Sequence, residues 1–153
     1  AMANCIETLI RLNREAAEAM RDFDIHAVTD ITGFGLAGHC LEMAKASHTR
    51  LSIGMSDLPI MEEAMEMYRK GMTTGVNGFN QTLVMDHIEF ETPYPKWRQQ
   101  IIYDPQTSGG LLAALPAEQA DGLIAALKQS DVPEAAIIGD VHPLDGATHL
   151  IFK

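Results

Sequence analysis

Residues 29–39 read TDITGFGLAGH, and this stretch decides the fold prediction for the chain. An apolar stretch at residues 25–28 precedes it, which is typical of a short strand. Gly33 and Gly35 then indicate a tight turn, since glycine permits backbone conformations that are closed to other residues. Beyond the turn, apolar side chains recur at helical spacing, at Leu36, Cys40, Leu41 and Ala44. The stretch therefore predicts a strand, a glycine turn and a helix in direct succession.

The rest of the chain alternates predicted helices and strands. Helices are expected at residues 4–21, after Pro59, at 97–103 and around 120–127; strands are expected around 51–55, 111–115 (a buried strand), 136–141 and 148–152. Asp145-Gly146, between the last two strands, is a hairpin signal. Residues 71–85 carry no charge and are expected to form a polar loop. The alternation predicts one layered α/β (α+β) domain with a mixed β-sheet, whose closing β-α-β-β order is partly ferredoxin-like.

The composition limits the function classes open to the chain. Its 153 residues are the length of one domain, and 46% hydrophobic with 21% charged residues fit a globular fold. The formal net charge is −10 and the 11 cations are not gathered together, so no nucleic-acid partner is expected. No apolar run approaches the about 18 residues of a membrane span, so no membrane partner is expected either. Cys5 and Cys40 form no CxxC pair and no secretory signal is visible, which favours a cytoplasmic location.

Three polar, glycine-containing loops are the candidate ligand-binding segments, at residues 29–35, 73–80 and 104–110. Glycine lets backbone amides approach an anion, and Thr, Ser and Asn side chains supply further donors. The pattern favours a phosphate-bearing ligand, and the residues expected to contact it are Thr32, Gly33, Gly35, Thr107, Ser108, Gly109 and Gly110. The alternative is that all three loops are ordinary tight turns. No GxxxxGK[ST] motif is present, so a P-loop is excluded.

Asp30 is the candidate metal ligand. It follows the first strand and precedes the glycine turn, where a carboxylate can hold Mg²⁺ against a phosphate. The alternative is an aspartate that forms an Asx-turn or an N-cap. Asp104 is interpreted as a turn former, His39 as a side chain on the apolar side of its helix, and Cys40 as a small buried hydrophobe. The six histidines show no metal-binding spacing.

Two strings carry a resemblance to a known family. TDITGFGLAGH at residues 29–39 and DPQTSGGLL at 104–112 are similar, nearly letter for letter, to the two C-terminal-domain motifs of the selenide, water dikinases, or selenophosphate synthetases. Residues 71–80 resemble the middle loop of that family, except that Phe79 stands before Asn80 where the family often has arginine. The resemblance spans essentially the whole chain.

The resemblance implies a C-terminal domain of the aminoimidazole ribonucleotide synthetase type. Residues 1–153 are then a single domain of a two-domain, dimeric enzyme whose N-terminal domain is absent, with ATP and Mg²⁺ in a cleft. Asp30 joins metal ligands from the missing half. The implied reaction makes selenophosphate from selenide, ATP and water and releases AMP and phosphate. The family's reactive Cys or selenocysteine and its essential Lys lie in the N-terminal half, so no catalytic residue is expected here.

Two alternatives to this assignment stay open. One is a related ATP-dependent synthetase or kinase of the same superfamily, and the other is a non-catalytic dimerisation or binding module.

Overall fold

The computed structural model describes residues 2–153 of the chain, with side chains from residue 5 onward. The helices are α1 (Met2–Ile10), α2 (Arg14–Met20), α3 (Gly35–Ser47), α4 (Glu62–Arg69), α5 (Asn77–Val84), α6 (Lys96–Gln100), which a 3-10 turn at Ile101–Tyr103 continues, and α7 (Ala117–Gln129). The strands are β1 (Ala27–Asp30), β2 (Thr49–Ile53), β3 (Ile88–Phe90), β4 (Leu111–Ala114), β5 (Gly139–Pro143) and β6 (Leu150–Phe152). The predicted α/β class with a mixed sheet is confirmed. Within residues 2–153, no helix combines the length and apolarity needed to cross a membrane.

The larger sheet has four strands in the order β3-β6-β2-β5. β6 runs parallel to both β3 and β2, and β5 runs antiparallel to β2. Helix α3 packs on this sheet, and the shared core contains Ala37, Cys40, Leu41 and Ala44 from the helix and Leu51, Ile53, Leu150 and Phe152 from the strands. The most apolar strands therefore occupy the middle of the sheet.

The predicted hairpin at Asp145-Gly146 is wrong, because β2 lies between β5 and β6. Asp145-Gly146 signals a turn from local sequence alone. The position of a strand in the sheet depends instead on how deeply its side chains are buried. Leu150 and Phe152 of β6 are fully buried, so β6 takes a central position. Every residue of β5 is exposed and the strand ends at Pro143, which suits an edge strand.

β1 and β4 form a separate two-stranded antiparallel ribbon. Helices α2 and α7 cover it through a second cluster that contains Met20, Leu123 and Leu127. β4 is only half-buried, since β1 is its one partner strand among the described residues. The closing β4-α7-β5-β6 segment is thus divided between two sheets. It has the order of elements of a ferredoxin-like unit but not its strand pairing.

Two further sequence predictions need correction. The helix expected at residues 4–21 is interrupted between Ile10 and Arg14. The side chain of Asn13 donates instead to the carbonyl of Gly109, 2.9 Å away, so a long-range contact takes precedence over helical periodicity at this position.

The polar loop expected at residues 71–85 contains helix α5. Its buried positions are Asn77, Asn80 and Val84, spaced three and four residues apart as on one helical face. An apolar-periodicity criterion misses this helix because two of its three buried side chains are polar.

Candidate functional site

The first and third glycine loops lie side by side at one end of the β1-β4 ribbon. Asp30 pairs with Leu111 in the register of the two strands. Beyond that pair, the Ile31 amide donates to the Gly110 carbonyl over 2.9 Å, and the Gln106 amide donates to the Thr32 carbonyl over 3.0 Å. Two segments more than 70 residues apart in sequence are therefore joined by backbone hydrogen bonds.

Two glycines make this approach possible. A Cβ at Gly109 would lie 2.0 Å from the Ile31 carbonyl oxygen, which no side chain can tolerate. Gly35 has a φ of +68°, and a Cβ there would lie 2.8 Å from the carbonyl carbon of Tyr103. Both glycines are buried, so they fit loop against loop, and the Gly35 amide donates to the Thr32 carbonyl over 3.0 Å.

The asparagines of α5 attach the second loop to the first loop and to the residues just before the third loop. Asn80 donates to the carbonyls of Gly33 and Tyr103, each over 2.9 Å. Asn77 donates to the carbonyl of Gln100 over 2.8 Å and accepts from the hydroxyl of Thr74 over 2.7 Å. Hydrogen bonds thus link the three loops into one cluster.

A buried tyrosine connects the second loop to the third. The hydroxyl of Tyr68, on α4, donates to the carboxylate of Asp104 and accepts from Nδ2 of Asn77 over 3.1 Å. Burial raises the pKa of Tyr68 well above its ordinary value, and the Asp104 carboxylate raises it further. Asp104 precedes Pro105 with an extended backbone, so the structure gives this residue an architectural role as well as its predicted place in the turn.

Asp30 lies exposed at the end of β1. Among the described residues its carboxylate has no hydrogen-bond or ion-pair partner, and α3 begins after Phe34 without a side-chain cap. The Asx-turn and N-cap alternatives therefore find no support. The carboxylate borders an open groove whose lining also includes Asn13, Arg21 and Leu111.

One aspartate is not a complete metal site. Within residues 2–153 no group of three or more His, Cys, Asp or Glu side chains is arranged to hold a metal ion. The exposed Asp30 carboxylate has the hard oxygen donors that Mg²⁺ prefers, so the residues present fit one ligand of a magnesium ion.

The other residues expected to contact the ligand differ in their exposure to solvent. Gly33, Thr107, Ser108 and Gly110 are exposed at the surface of the loop cluster, and Ser108 has a φ of +54°. Thr32 is half-buried. The exposed residues are accessible to a ligand, and their contact with phosphate stays a prediction.

His39 is buried, as expected, but it is not in purely apolar surroundings. Its Nε2 lies 3.0 Å from the Thr32 hydroxyl, and the Glu42 carboxylate lies 3.1 Å from its Nδ1. Cys40, the next residue, is a buried hydrophobe as predicted, and burial raises the pKa of its thiol to about 12. This thiol is therefore not a nucleophile at neutral pH.

Gly33, Gly35 and Gly38 also fall at the GxGxxG spacing of dinucleotide-binding proteins. In those proteins the motif joins a strand to a helix that leads to a parallel strand of the same sheet, whereas here β1 and the next strand, β2, lie in different sheets. The spacing is therefore not a dinucleotide-binding motif in this fold.

The model of the family "AIR synthase related protein, C-terminal domain" matches residues 4–149. The chain belongs to this family. A search of solved structures places it beside the hydrogenase maturation protein HypE, crystallised in complex with ATP, with a TM-score of 0.60, 21% identity, and coverage of 92% of this chain and 36% of that one. At 21% identity, this similarity shows that the two proteins share a fold.

Curated relatives of this family member are named selenide, water dikinase. The protein of Clostridioides difficile is 44% identical over 138 residues, 90% of this chain and 40% of the relative. The proteins of Rhizobium meliloti and Desulfitobacterium hafniense (strain DSM 10664 / DCB-2) are 38% and 40% identical, over 88% and 94% of this chain. The chain spans about 40% of the length of the curated relatives it matches.

Proposed function

We propose that the chain is the C-terminal part of a selenide, water dikinase, a phosphotransferase that makes selenophosphate. In the balanced reaction, ATP, selenide and water give selenophosphate, AMP and phosphate. The observation that carries the proposal is the joining of the two strings similar to the dikinases, at residues 29–39 and 104–112, beside the exposed Asp30. The similarity to named dikinases over about nine-tenths of the chain supports it.

In this proposal the chain contributes part of a composite site. Asp30 is one ligand of Mg²⁺, which supplies the positive charge that lets an acidic protein hold the phosphates of ATP. Arg21 lies on the same groove and is a further cation near the phosphates. The surface of Gly33, Thr107, Ser108 and Gly110 meets the triphosphate, while the buried cluster holds these loops in place.

The remaining parts of the reaction belong to partners of this domain. The reactive Cys or selenocysteine, the essential Lys and most metal ligands come from an N-terminal domain of the same enzyme, which works as a homodimer. We place the enzyme in the cytoplasm, in keeping with the two free thiols of the chain.

A chimera tests the proposal. The matching segment of the Clostridioides difficile protein is replaced by this chain, and the purified chimera is incubated with ATP, Mg²⁺ and selenide. Phosphorus NMR then follows selenophosphate, AMP and phosphate, with the intact relative as the positive control. Selenophosphate with equal AMP is the expected result.

Two other outcomes contradict the proposal. Consumption of ATP without selenophosphate favours a related ATP-dependent synthetase. A folded, dimeric chimera that neither consumes ATP nor makes product favours a non-catalytic module.

A further inference from the structure

The Thr32 hydroxyl is held from inside the domain. It lies 3.0 Å from Nε2 of His39, which is itself buried on the second turn of α3. The Thr32 carbonyl accepts the amides of Gly35 and Gln106, each over 3.0 Å. Thr32, a half-buried residue, therefore connects the first loop, the third loop and α3 through its hydroxyl and its carbonyl.

The direction of the Thr32–His39 hydrogen bond depends on which ring nitrogen carries the proton. A neutral imidazole has one N–H donor and one acceptor nitrogen. If Nε2 is the acceptor, the Thr32 hydroxyl must donate its proton to the ring. If Nε2 carries the proton, the hydroxyl accepts it and its own proton stays available to a ligand.

Glu42 decides between the two tautomers. Its Oε2 lies 3.1 Å from Nδ1 of His39, one helical turn along α3. Nδ1 is buried and has no well-aligned hydrogen-bond partner among the described residues, so this carboxylate is its nearest charged neighbour. An unprotonated Nδ1 would place a lone pair beside a negative charge, whereas an N–H there is attracted to it. Glu42 therefore favours the tautomer with the proton on Nδ1 and the lone pair on Nε2.

We propose that His39, oriented by Glu42, is a positioning residue that makes the Thr32 hydroxyl a hydrogen-bond acceptor in the site. The Thr32 proton is then directed inward to Nε2, and only oxygen lone pairs face the loop surface. Lone pairs repel phosphate oxygens and bind donors. Under the proposed function, in which Asp30 is a ligand of Mg²⁺, the donor is a water molecule of the Mg²⁺ hydration shell, since Thr32 is two residues from Asp30 in sequence and Mg²⁺ usually keeps several waters.

This inference rests on the proposed function for the identity of the metal, and it revises the expectation that Thr32 donates to phosphate. The tautomer itself depends only on this chain. Its test and the test of the proposed function are therefore separable.

The first experiment reads the tautomer directly. The protein is labelled with ¹⁵N-histidine, and two-bond nitrogen–proton correlation spectra at pH 8 distinguish Nδ1–H, Nε2–H and imidazolium forms. The His39 signals are assigned by their loss in His39→Gln. We expect Nδ1–H in the wild type and a mixture of tautomers in Glu42→Ala, with Glu118→Ala on α7 as the matched control that leaves His39 unchanged. A wild-type His39 in the Nε2–H or imidazolium form overturns the proposal.

The second experiment uses the chimeric enzyme. Thr32→Val keeps the shape of the side chain and removes the hydroxyl, and Thr32→Ser restores the hydroxyl. We expect Thr32→Val to raise the Mg²⁺ concentration for half-maximal rate about tenfold, the effect of one hydrogen bond. The KM for ATP at saturating Mg²⁺ should be unchanged, and Thr32→Ser should recover most of the loss.

A rise in the KM for ATP with an unchanged Mg²⁺ requirement would instead show that Thr32 donates to phosphate, which contradicts the inference and leaves the proposed function standing. An inactive wild-type chimera contradicts the proposed function, whereas the tautomer of His39 is still measured.

Discussion

Replacement of Asn77 by alanine tests whether the loop cluster depends on buried asparagines. Asn77 is 2% exposed. Its amide donates to the Gln100 carbonyl over 2.8 Å and to the Tyr68 oxygen over 3.1 Å, and its carbonyl accepts from the Thr74 hydroxyl over 2.7 Å. The same carbonyl also accepts from the Thr74 amide over 3.2 Å. Alanine removes all of these hydrogen bonds and keeps the backbone of α5 able to form a helix.

The expected loss of stability follows from what each partner can do afterwards. The Gln100 carbonyl is left without its partner in a partly buried place, which costs about 1–3 kcal/mol. Thr74 is exposed and regains water, and Tyr68 keeps its bond to Asp104, so each of these losses is about 0.5–1 kcal/mol. The free energy of unfolding should therefore fall by about 3 kcal/mol, equivalent to about 6–12 °C in Tm for a domain of this length.

Urea and thermal unfolding followed by circular dichroism measure this loss. Gln81→Ala is the matched control, since Gln81 is exposed on the same helix and should change stability by less than about 0.5 kcal/mol. Asn77→Asp keeps an acceptor for Thr74 but places a buried carboxylate against the Gln100 carbonyl, so it should lose at least as much stability as Asn77→Ala. If the free energies of unfolding of Asn77→Ala and Gln81→Ala differ by less than about 1 kcal/mol, the asparagine does not hold the cluster together and the reasoning fails.

Three further outcomes are expected. The isolated 153-residue chain should fold and make no selenophosphate above a protein-free control by phosphorus NMR, because under the proposed function it supplies one metal ligand and no reactive residue. Gly109→Ala should lower the free energy of unfolding by more than about 2 kcal/mol, since its Cβ would meet the Ile31 carbonyl at 2.0 Å, whereas Gly110→Ala, with open space around it, should be nearly neutral. The free energy of unfolding should fall as the pH rises above about 10, because the raised pKa of Tyr68 makes ionisation easier in the unfolded chain than in the folded one. Urea titrations over this pH range should show a smaller fall for Tyr68→Phe.

Much of the architecture could be predicted because it follows from local patterns. A strand around residues 25–28, then a glycine turn and a helix, were predicted from apolar spacing and glycines, and the structure has β1 at Ala27–Asp30 and α3 from Gly35. Apolar periodicity also found α7 and the central strands β2 and β6. Strand positions moved by two or three residues, as at β5, where Gly139 and not Ala136 begins the strand.

The errors share a physical cause, which is that long-range contacts replaced local preferences. Asn13 interrupts the first predicted helix to reach Gly109, and β2 separates the two strands that a turn signal would have paired. Helix α5 was missed because asparagines occupy its buried face. The density of amide side chains in residues 73–80 was a visible signal, but only the fold shows that Asn77 and Asn80 serve backbone carbonyls of other loops.

The sequence predicted which loops belong to the candidate site but not what the individual residues do there. Composition identified the three loops, and the structure joins them. Sequence reasoning did not indicate the Tyr68–Asn77–Asp104 connection or the contact between His39 and Thr32, since both link residues on different elements.

The central claim is that Asp30 is a metal ligand at the meeting point of these loops. The most direct measurement compares Asp30→Asn with the wild type in the chimeric enzyme, following the rate of selenophosphate formation against Mg²⁺ concentration and the Tm of the same preparations. Asp121→Asn, an exposed aspartate on α7, is the matched control. We expect Asp30→Asn to raise the Mg²⁺ requirement at least tenfold with the Tm unchanged, because it removes a charge from an exposed ligand and keeps its shape. An unchanged Mg²⁺ requirement, or a lowered Tm with full activity per folded molecule, would contradict the claim that Asp30 is a metal ligand.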